Sequence, residues 1–265
     1  ITNNNRLFSH NMDTPQGTAG AQSLRRALQL LRLLAQHQED GIRLTEVMAA
    51  SGLERSTAHR LLSCLVEEQF AERDPGSKAY RLGLDAMQLG FASMRRVPLV
   101  DHCRPLMQRL ARMSGDTVFL VIRQGDYCLC LHREEGHFPV KVFTTDVGGR
   151  RLLGLGAGGL ALMAQLSDAE VERIFDRHVE EYTQACFTRE RLQQAVRRTR
   201  AAGYADIVDT LTVGVSGVGA TFAASPGTLA AISFGAITPR LPPERKREMA
   251  RLLMDQLVSN QAGGA

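Results

Sequence analysis

A row of basic and hydroxyl side chains lies between positions 55 and 60, and its chemistry suits the recognition of nucleic acid. It consists of Arg55, Ser56, Thr57, His59 and Arg60. Arginines bind phosphates and guanine edges, and hydroxyls reach phosphates or base edges in the major groove of DNA. Ala58 and Leu61 interrupt the row at the spacing of a buried helix face. The row therefore predicts one face of a helix that reads DNA.

Two helices and a hairpin would hold this row in place. Apolar spacing predicts helices over residues 44–50 and 55–69, with Gly52 in the tight turn between them. Short strands over 70–73 and 79–82 flank a strong turn signal at positions 74–77 and form a wing. The wing would bring three cations near the phosphates: Arg73, Lys78 and Arg81. An ordinary helical hairpin with a polar face is the alternative, since residues 24–83 carry nine Lys or Arg against eight Asp or Glu.

The remainder of the chain predicts a larger domain that mixes helices and strands. A connecting helix is predicted over 85–97, and Pro98 is expected to end it. Strands are predicted over 117–123, 127–132, 140–143, 205–208, 218–223 and 229–234. Helices are predicted over 160–166, 168–179, 188–202 and 243–258. The predicted fold class is therefore α+β.

The glycine-dense segment from Gly154 to Gly159 fits G-x-G-x-x-G, the fingerprint of dinucleotide binding. That fingerprint needs a buried strand before it and an acidic strand end about 20 residues later. Here glycines and arginines precede it and a helical pattern follows, so a dinucleotide site is disfavoured. A glycine-rich turn that opens a helix instead exposes backbone N–H groups beside a positive dipole end, which suits a carboxylate.

Composition narrows the remaining classes of function. The net charge of +4 permits an anionic partner, and no apolar run approaches the ~20 residues that cross a bilayer, so no membrane partner is expected. An odd number of cysteines, five, favours a reducing cytoplasm over a disulfide framework. No paired acid and base, metal-ligand cluster or activated nucleophile is visible. We therefore expect neither an enzyme, a metal site nor a cofactor.

The string Leu53 to Leu62, which ends in S-T-A-H-R-L-L, closely resembles the isocitrate lyase regulator (IclR) family of bacterial regulators. The wing segments Glu72-Arg73-Asp74 and Tyr80-Arg81-Leu82-Gly83 share the resemblance, which covers nearly all of 23–258 in the right order. Two residues depart from the family pattern: Met48 and Ser51 stand where members usually have a small and an aliphatic residue.

The resemblance implies a complete domain organisation. A disordered tail over 1–22 precedes a winged helix-turn-helix DNA-binding domain over 23–84, a linker helix over 85–98 and an effector-binding domain over 99–260. The last would be related to the GAF and profilin-like folds. The family also implies a homodimer or dimer of dimers, so the double-stranded DNA operator should be a near-palindrome. Whether the protein represses or activates stays open.

Eight positions match the pocket in which the family binds its effectors: Leu155, Ala157, Gly158, Ile207, Val215, Gly217, Ser233 and Gly235. Members that bind small keto acids have polar side chains at several of these, whereas this chain has Ile207, Gly217 and Gly235. We therefore expect a roomier, more apolar pocket that takes an aromatic or otherwise bulky organic acid. The alternatives are an enzyme and a dimerisation module that senses nothing, both built on the C-terminal domain.

Overall fold

A computed structural model describes residues 20–94, 98–210, 212–225 and 227–262, so most of the predicted tail lies outside the described residues. The chain divides into two compact units, Ile1–Val97 and Pro98–Ala265. One hydrophobic cluster fills the first unit, and two clusters fill the second. No helix in the described segments is long and apolar enough to cross a membrane.

The first unit is a helical bundle with a small hairpin. Its elements are α1 (Gln22–Gln36), α2 (Leu44–Ser51), α3 (Arg55–Glu67), β1 (Ala71–Arg73), β2 (Tyr80–Leu82) and α4 (Leu84–Met94). The strands β1 and β2 pair antiparallel, with Ala71 opposite Leu82. The two predicted helices before the hairpin, the hairpin itself and the connecting helix after it are confirmed.

The turn between α2 and α3 is built from two small residues. Gly52 ends α2 in the left-handed region at φ +67°, where the missing Cβ removes the usual steric cost. The Ser51 hydroxyl donates to the Val47 carbonyl at 2.6 Å and accepts from the Leu53 amide at 3.3 Å. Ser51, which departs from the family pattern, thus forms hydrogen bonds with two backbone groups at the end of α2. The core between α2 and α3 is closed by Val47, Ala58 and Leu62, all fully buried.

The second unit contains six strands and six α-helices among its described residues. In chain order they are α5 (Pro98–Ser114), β3 (Thr117–Gln124), β4 (Tyr127–Glu134), β5 (Arg150–Leu152), α6 (Ala157–Met163), α7 (Asp168–Arg177), α8 (Val179–Gln184), α9 (Arg189–Ala202), β6 (Ala205–Val208), β7 (Val215–Ser225), β8 (Thr228–Ile237) and α10 (Pro243–Ala262). A single 3₁₀ turn, Thr238–Arg240, precedes α10.

The six strands form one antiparallel sheet in the order β5-β4-β3-β8-β7-β6. Alternate residues of β3 enter the two cores, since successive side chains of a strand point to opposite faces. Val118 and Leu120 join the core beneath α5 and α10, whereas Phe119 and Val121 join the core beneath α6, α7 and α9. The sheet therefore separates two layers of helices.

Two predictions for this unit are wrong. The strand expected over 140–143 is irregular chain, because the outer edge of β4 is already taken by β5 and by the backbone of Gly148 and Gly149. Pro98 begins α5, where its missing N–H costs nothing, and the end of the connecting helix at Pro98 stays a prediction because 95–97 lie outside the described residues. The helix expected over 160–166 begins earlier, at Ala157. The antiparallel sheet also differs from the parallel sheet that a dinucleotide fingerprint requires.

Candidate functional site

The exposed face of α3 carries the row of polar side chains that the sequence singled out. Arg55, Ser56, His59 and Arg60 are exposed and Thr57 is half-buried, while the opposite face packs Ala58 and Leu62 into the core. Helical spacing explains the division, since residues three and four apart share a face. The structure therefore brings the five predicted side chains together on one accessible surface.

The two arginines of this face are available for an external anion. Within the described part of the chain, neither the Arg55 nor the Arg60 guanidinium has a carboxylate within ion-pair distance. The acidic Glu67 and Glu68 lie at the far end of α3. Unpaired guanidinium groups at the start of an exposed helix can contact DNA phosphates and guanine edges.

The hairpin has a rigid turn at its tip. The Asp74 carboxylate accepts hydrogen bonds from the amides of Gly76 and Ser77 and from the Ser77 hydroxyl. These donors, the Ser77 amide first, hold the pKa of Asp74 below its ordinary value. Lys78 follows in the left-handed region at φ +61°, exposed, with its Nζ donating to the Pro75 carbonyl. A non-glycine residue there is strained, yet the position puts a cation at the tip.

The other two wing cations differ from each other. The Arg73 guanidinium is exposed and lies 5.5 Å from the centroid of the Tyr80 ring. The Arg81 guanidinium instead donates to the carbonyls of Glu39 and Asp40, at 3.3 and 3.1 Å. Arg81 therefore ties the wing to the loop after α1. Both of these hydrogen bonds use Nη2, so the contact of Arg81 with phosphates stays a prediction that depends on the other guanidinium donors.

A cavity on the sheet face beneath α6 is lined by the eight residues predicted for the effector pocket: Leu155, Ala157, Gly158, Ile207, Val215, Gly217, Ser233 and Gly235. Its volume is about 60 Å³. On this scale one water needs about 10–15 Å³ and a benzene-binding cavity has about 150 Å³. The cavity as described therefore suits a small organic molecule.

The same cavity has twelve lining residues that sequence reasoning missed, and half of them carry polar hydroxyl or guanidinium side chains. They are Phe119, Val121, Cys128, Thr144, Thr145, Arg151, Gly156, Gly159, Thr210, Thr212, Ser216 and Phe234. The threonines come from irregular chain before β5 and between β6 and β7, where no periodic pattern marks them. Arg151 was visible in the sequence only as part of a glycine- and arginine-rich segment. The lining as a whole is mostly apolar, so the expectation of a more apolar pocket stays a prediction, while the threonines and Arg151 add polar groups to the wall.

The expected extra room beside the two glycines is also absent. A Cβ on Gly217 would lie 2.9 Å from the Phe234 carbonyl oxygen and 3.2 Å from Ala157 Cβ. A Cβ on Gly235 would lie 3.0 Å from the Phe119 ring. Neighbouring groups fill the space that the missing side chains leave, so these glycines permit close packing and do not enlarge the cavity.

The start of α6 rests directly on the sheet. A Cβ on Gly219 would lie 2.9 Å from the Ala157 carbonyl, and one on Gly158 would lie 2.7 Å from Val121 Cγ2 and 3.3 Å from Ser233 Oγ. No side chain caps this helix, because its N-cap residue is Gly156. Since the first amides of a helix lack partners within it, the α6 amides beside Ser233 remain available as donors at the cavity.

Two family models match the chain. Residues 23–75 match the IclR helix-turn-helix domain, and residues 91–257 match the model described as bacterial transcriptional regulator IclR C-terminal. Over 243 residues the chain is 31% identical to the HTH-type transcriptional regulator BhcR of Paracoccus denitrificans, a match that covers 91% of this chain and 86% of that protein.

Solved structures share the fold. An IclR family transcriptional regulator from Brucella abortus aligns with a TM-score of 0.77 at 22% identity and covers 92% of both chains. An IclR homolog complexed with 4-hydroxybenzoate, from Microbacterium hydrocarbonoxydans, aligns with a TM-score of 0.70 at 18% identity and covers 91% of this chain and 98% of that one. At these identities the likeness concerns the fold alone.

Proposed function

The chain belongs to the IclR family of DNA-binding bacterial transcriptional regulators, and from this premise we propose how it reads its operator and what regulates it. Helix α3 enters the major groove, and the wing formed by β1 and β2 contacts the flanking phosphates. A small organic acid occupies the cavity of the second unit and changes the affinity for DNA. The observation that carries the proposal is the accessible face of α3, whose arginines have no anionic partner among the described residues.

Two copies of the chain bind together in this proposal. One winged helix makes too few contacts to select a single site in a genome, and a two-fold dimer doubles them. Apolar side chains on α4 support this assembly, since Leu84, Met87, Leu89 and Phe91 are at least half exposed. Leu24 and Leu28 on α1 are exposed as well. Burying these surfaces against a second copy would place two α3 helices on a near-palindromic operator.

The size of the effector is constrained by the cavity. A volume of about 60 Å³ supports an acid of a few heavy atoms. The aromatic acid expected from the sequence stays a prediction, and it would require Thr144, Thr145, Thr210 and Thr212 to move outward. The 4-hydroxybenzoate bound by the homolog is one compound worth testing for this reason.

Selection of operator sequences from random DNA by the purified protein tests the proposal. We expect a near-palindromic consensus, and we expect one acid among pyruvate, glyoxylate, benzoate and 4-hydroxybenzoate to shift DNA affinity by about 5–150-fold. Thermal shift identifies the binding acid first, because a ligand at 100 times its Kd stabilises the protein by about 2.7 kcal/mol. Failure to enrich any sequence would overturn the DNA assignment, and acid binding without a change in DNA affinity would overturn the regulatory one.

A further inference from the structure

Arg151 brings a positive charge to the cavity that no described neighbour neutralises. It lies on β5 directly opposite Cys128 of β4, and both side chains line the cavity. None of the lining residues in the described segments carries a carboxylate. The guanidinium also forms no ion pair or hydrogen bond with any residue that the structure describes. Among the described residues that line the cavity, Arg151 is therefore the one charged side chain, and its charge is positive.

The surroundings of Arg151 make its unpaired state costly. The side chain is half-buried, and burial lowers the pKa of its guanidinium below the ordinary value. Arginine keeps its proton even then, so the group remains a partly desolvated charge. Such a charge is unfavourable unless a counter-charge or hydrogen-bond acceptors satisfy it.

Two other half-buried arginines of this unit have carboxylate partners. Arg123 pairs with Glu170 at 2.5 Å, and Arg240 pairs with Asp116 at 2.7 Å. The half-buried Arg150 has no carboxylate within ion-pair distance among the described residues, but its guanidinium lies over the Tyr127 ring and not in the cavity wall. Arg151 lacks such a carboxylate partner among the described residues, and it lies in the wall of the cavity.

The chain also leaves space for the Arg151 side chain to lie against the turn before α6. A Cβ on Gly156 would lie 3.3 Å from Arg151 Cδ and 3.5 Å from Arg151 Nη1. A Cβ there would make a tight contact with the Arg151 stem and an ordinary van der Waals contact with the guanidinium. These distances place the guanidinium against the start of α6, next to the lining residues Leu155 and Ala157.

We infer that Arg151 is the anion-recognition residue of the cavity and that it binds the carboxylate of the regulatory acid. The inference rests on the proposed function and names the class of ligand: an ionised monocarboxylic acid. A guanidinium presents paired N–H donors that match the two oxygens of a carboxylate. A phosphate dianion fits less well, because a single guanidinium would leave one negative charge without compensation.

Calorimetry on the full chain tests this inference with four acids: pyruvate, glyoxylate, benzoate and 4-hydroxybenzoate. For the acid that binds wild type, Arg151→Gln should raise Kd by about 10- to 100-fold, as expected for a lost charge-assisted hydrogen bond. Arg151→Lys keeps the charge but loses the paired N–H donors of the guanidinium, so it should raise Kd by a smaller factor. The matched control is Arg150→Gln, which removes the same charge one residue away, from a side chain stacked on the Tyr127 ring 4.6 Å away.

A second readout separates recognition from a structural role. Because Arg151 has no partner among the described residues, unliganded Arg151→Gln should melt at the same temperature as wild type or above it. A clearly lower Tm for both Arg151 variants would overturn the inference. Equal affinity of wild type and Arg151→Gln for the same acid would also overturn it and leave the proposed function intact. If wild type binds none of the four acids, the proposed acid regulation fails, and the inference with it.

A third measurement compares the binding acid with its neutral amide. Benzamide, or the amide of whichever acid binds, retains the shape but lacks the charge and one acceptor oxygen. We expect it to bind wild type at least about tenfold more weakly than the acid. If the amide binds as tightly as the acid, the cavity recognises the shape of the ligand and not its charge. That result would contradict the assignment of Arg151 to carboxylate recognition.

Discussion

The surface of α3 and the cavity of the second unit both present arginine, but in opposite environments. On α3 the side chains of Arg55 and Arg60 stand in water, whereas Arg151 is half-buried at the cavity wall. Water and salt screen an exposed charge, so each contact with DNA is individually weak and salt-dependent. A partly desolvated charge interacts more strongly with a single ligand. The first site must therefore work through many contacts, while the second can rely on one.

The two sites also differ in how many copies of the chain they need. All the described lining residues of the cavity belong to one chain and one unit. A DNA site of scattered weak contacts gains specificity when a two-fold dimer repeats it. Changes in the first unit should thus weaken DNA binding directly, whereas changes at the cavity should weaken acid binding and alter DNA binding only when the acid is present.

The largest effect is expected from breaking the dimer. Met87→Asp with Phe91→Asp on α4 removes apolar burial of about 1.5–3 kcal/mol per side chain, and two-fold symmetry counts each change twice. Analytical ultracentrifugation should show monomers, and operator binding should be lost while acid binding persists. Val179→Asp, on the exposed surface of α8, is the control. A double variant that stays dimeric at micromolar concentration would contradict the role of α4.

Removing both arginines from the α3 face should have the next largest effect. Arg55→Ala with Arg60→Ala should weaken operator binding by about 2–6 kcal/mol if each contacts a base, at about 1–3 kcal/mol per bidentate pair. Fluorescence anisotropy on a selected operator measures the change. Arg197→Ala with Arg198→Ala removes the same charge from α9 and should have little effect. Unchanged affinity in the α3 variant would show that another element reads the DNA.

Glycine replacements should act with opposite sign in the two units. Gly217→Ala forces a Cβ against the Phe234 carbonyl, so it should lower the stability of the second unit by about 1–3 kcal/mol. Gly90→Ala in α4 has open space around the new methyl group and should stabilise the helix by up to about 1 kcal/mol. Thermal melts compare the two. A Gly217→Ala protein as stable as wild type would mean that the site has spare room after all.

The smallest effect concerns the tip of the wing. Lys78→Gly and Lys78→Ala should both lower the salt slope of DNA binding by about one, because each removes one phosphate contact. Only glycine relieves the left-handed backbone at φ +61°, so Lys78→Gly should be about 1 kcal/mol more stable than Lys78→Ala. Gel-shift titrations at several salt concentrations measure the salt slope, and thermal melts measure the difference in stability. Equal stability of the variants would remove the evidence for strain at position 78.

The first unit was predictable almost to the residue. Its signals are local: Gly52 in the turn, the apolar face of α3 and the D-P-G-S turn each act within a few positions. Arg81 is the exception, because its guanidinium reaches back to the carbonyls of Glu39 and Asp40 across 42 and 41 positions, respectively. No local pattern indicates such a contact.

The second unit was predictable in class and only partly in detail. The alternating pattern predicted β3 and β4, yet the same kind of pattern over 140–143 produced no strand. A strand forms only where a neighbouring edge is free to pair, and the pairing of β5 with β4 decides that. The eight residues carried over from the family pattern did come together at one cavity, although their spacing gave no distances.

The sequence by itself determined the order of the elements, the polar face of α3 and the identity of eight of the twenty lining residues of the cavity. These follow from helical and strand periodicity, from turn residues and from a motif resemblance, all of which are properties of neighbouring positions. The tertiary structure decided that the space beside Gly217 is filled, that loop threonines complete the cavity, and that Arg151 stands there without a described partner. Those outcomes depend on the distances between groups far apart in the chain, and only packing fixes such distances.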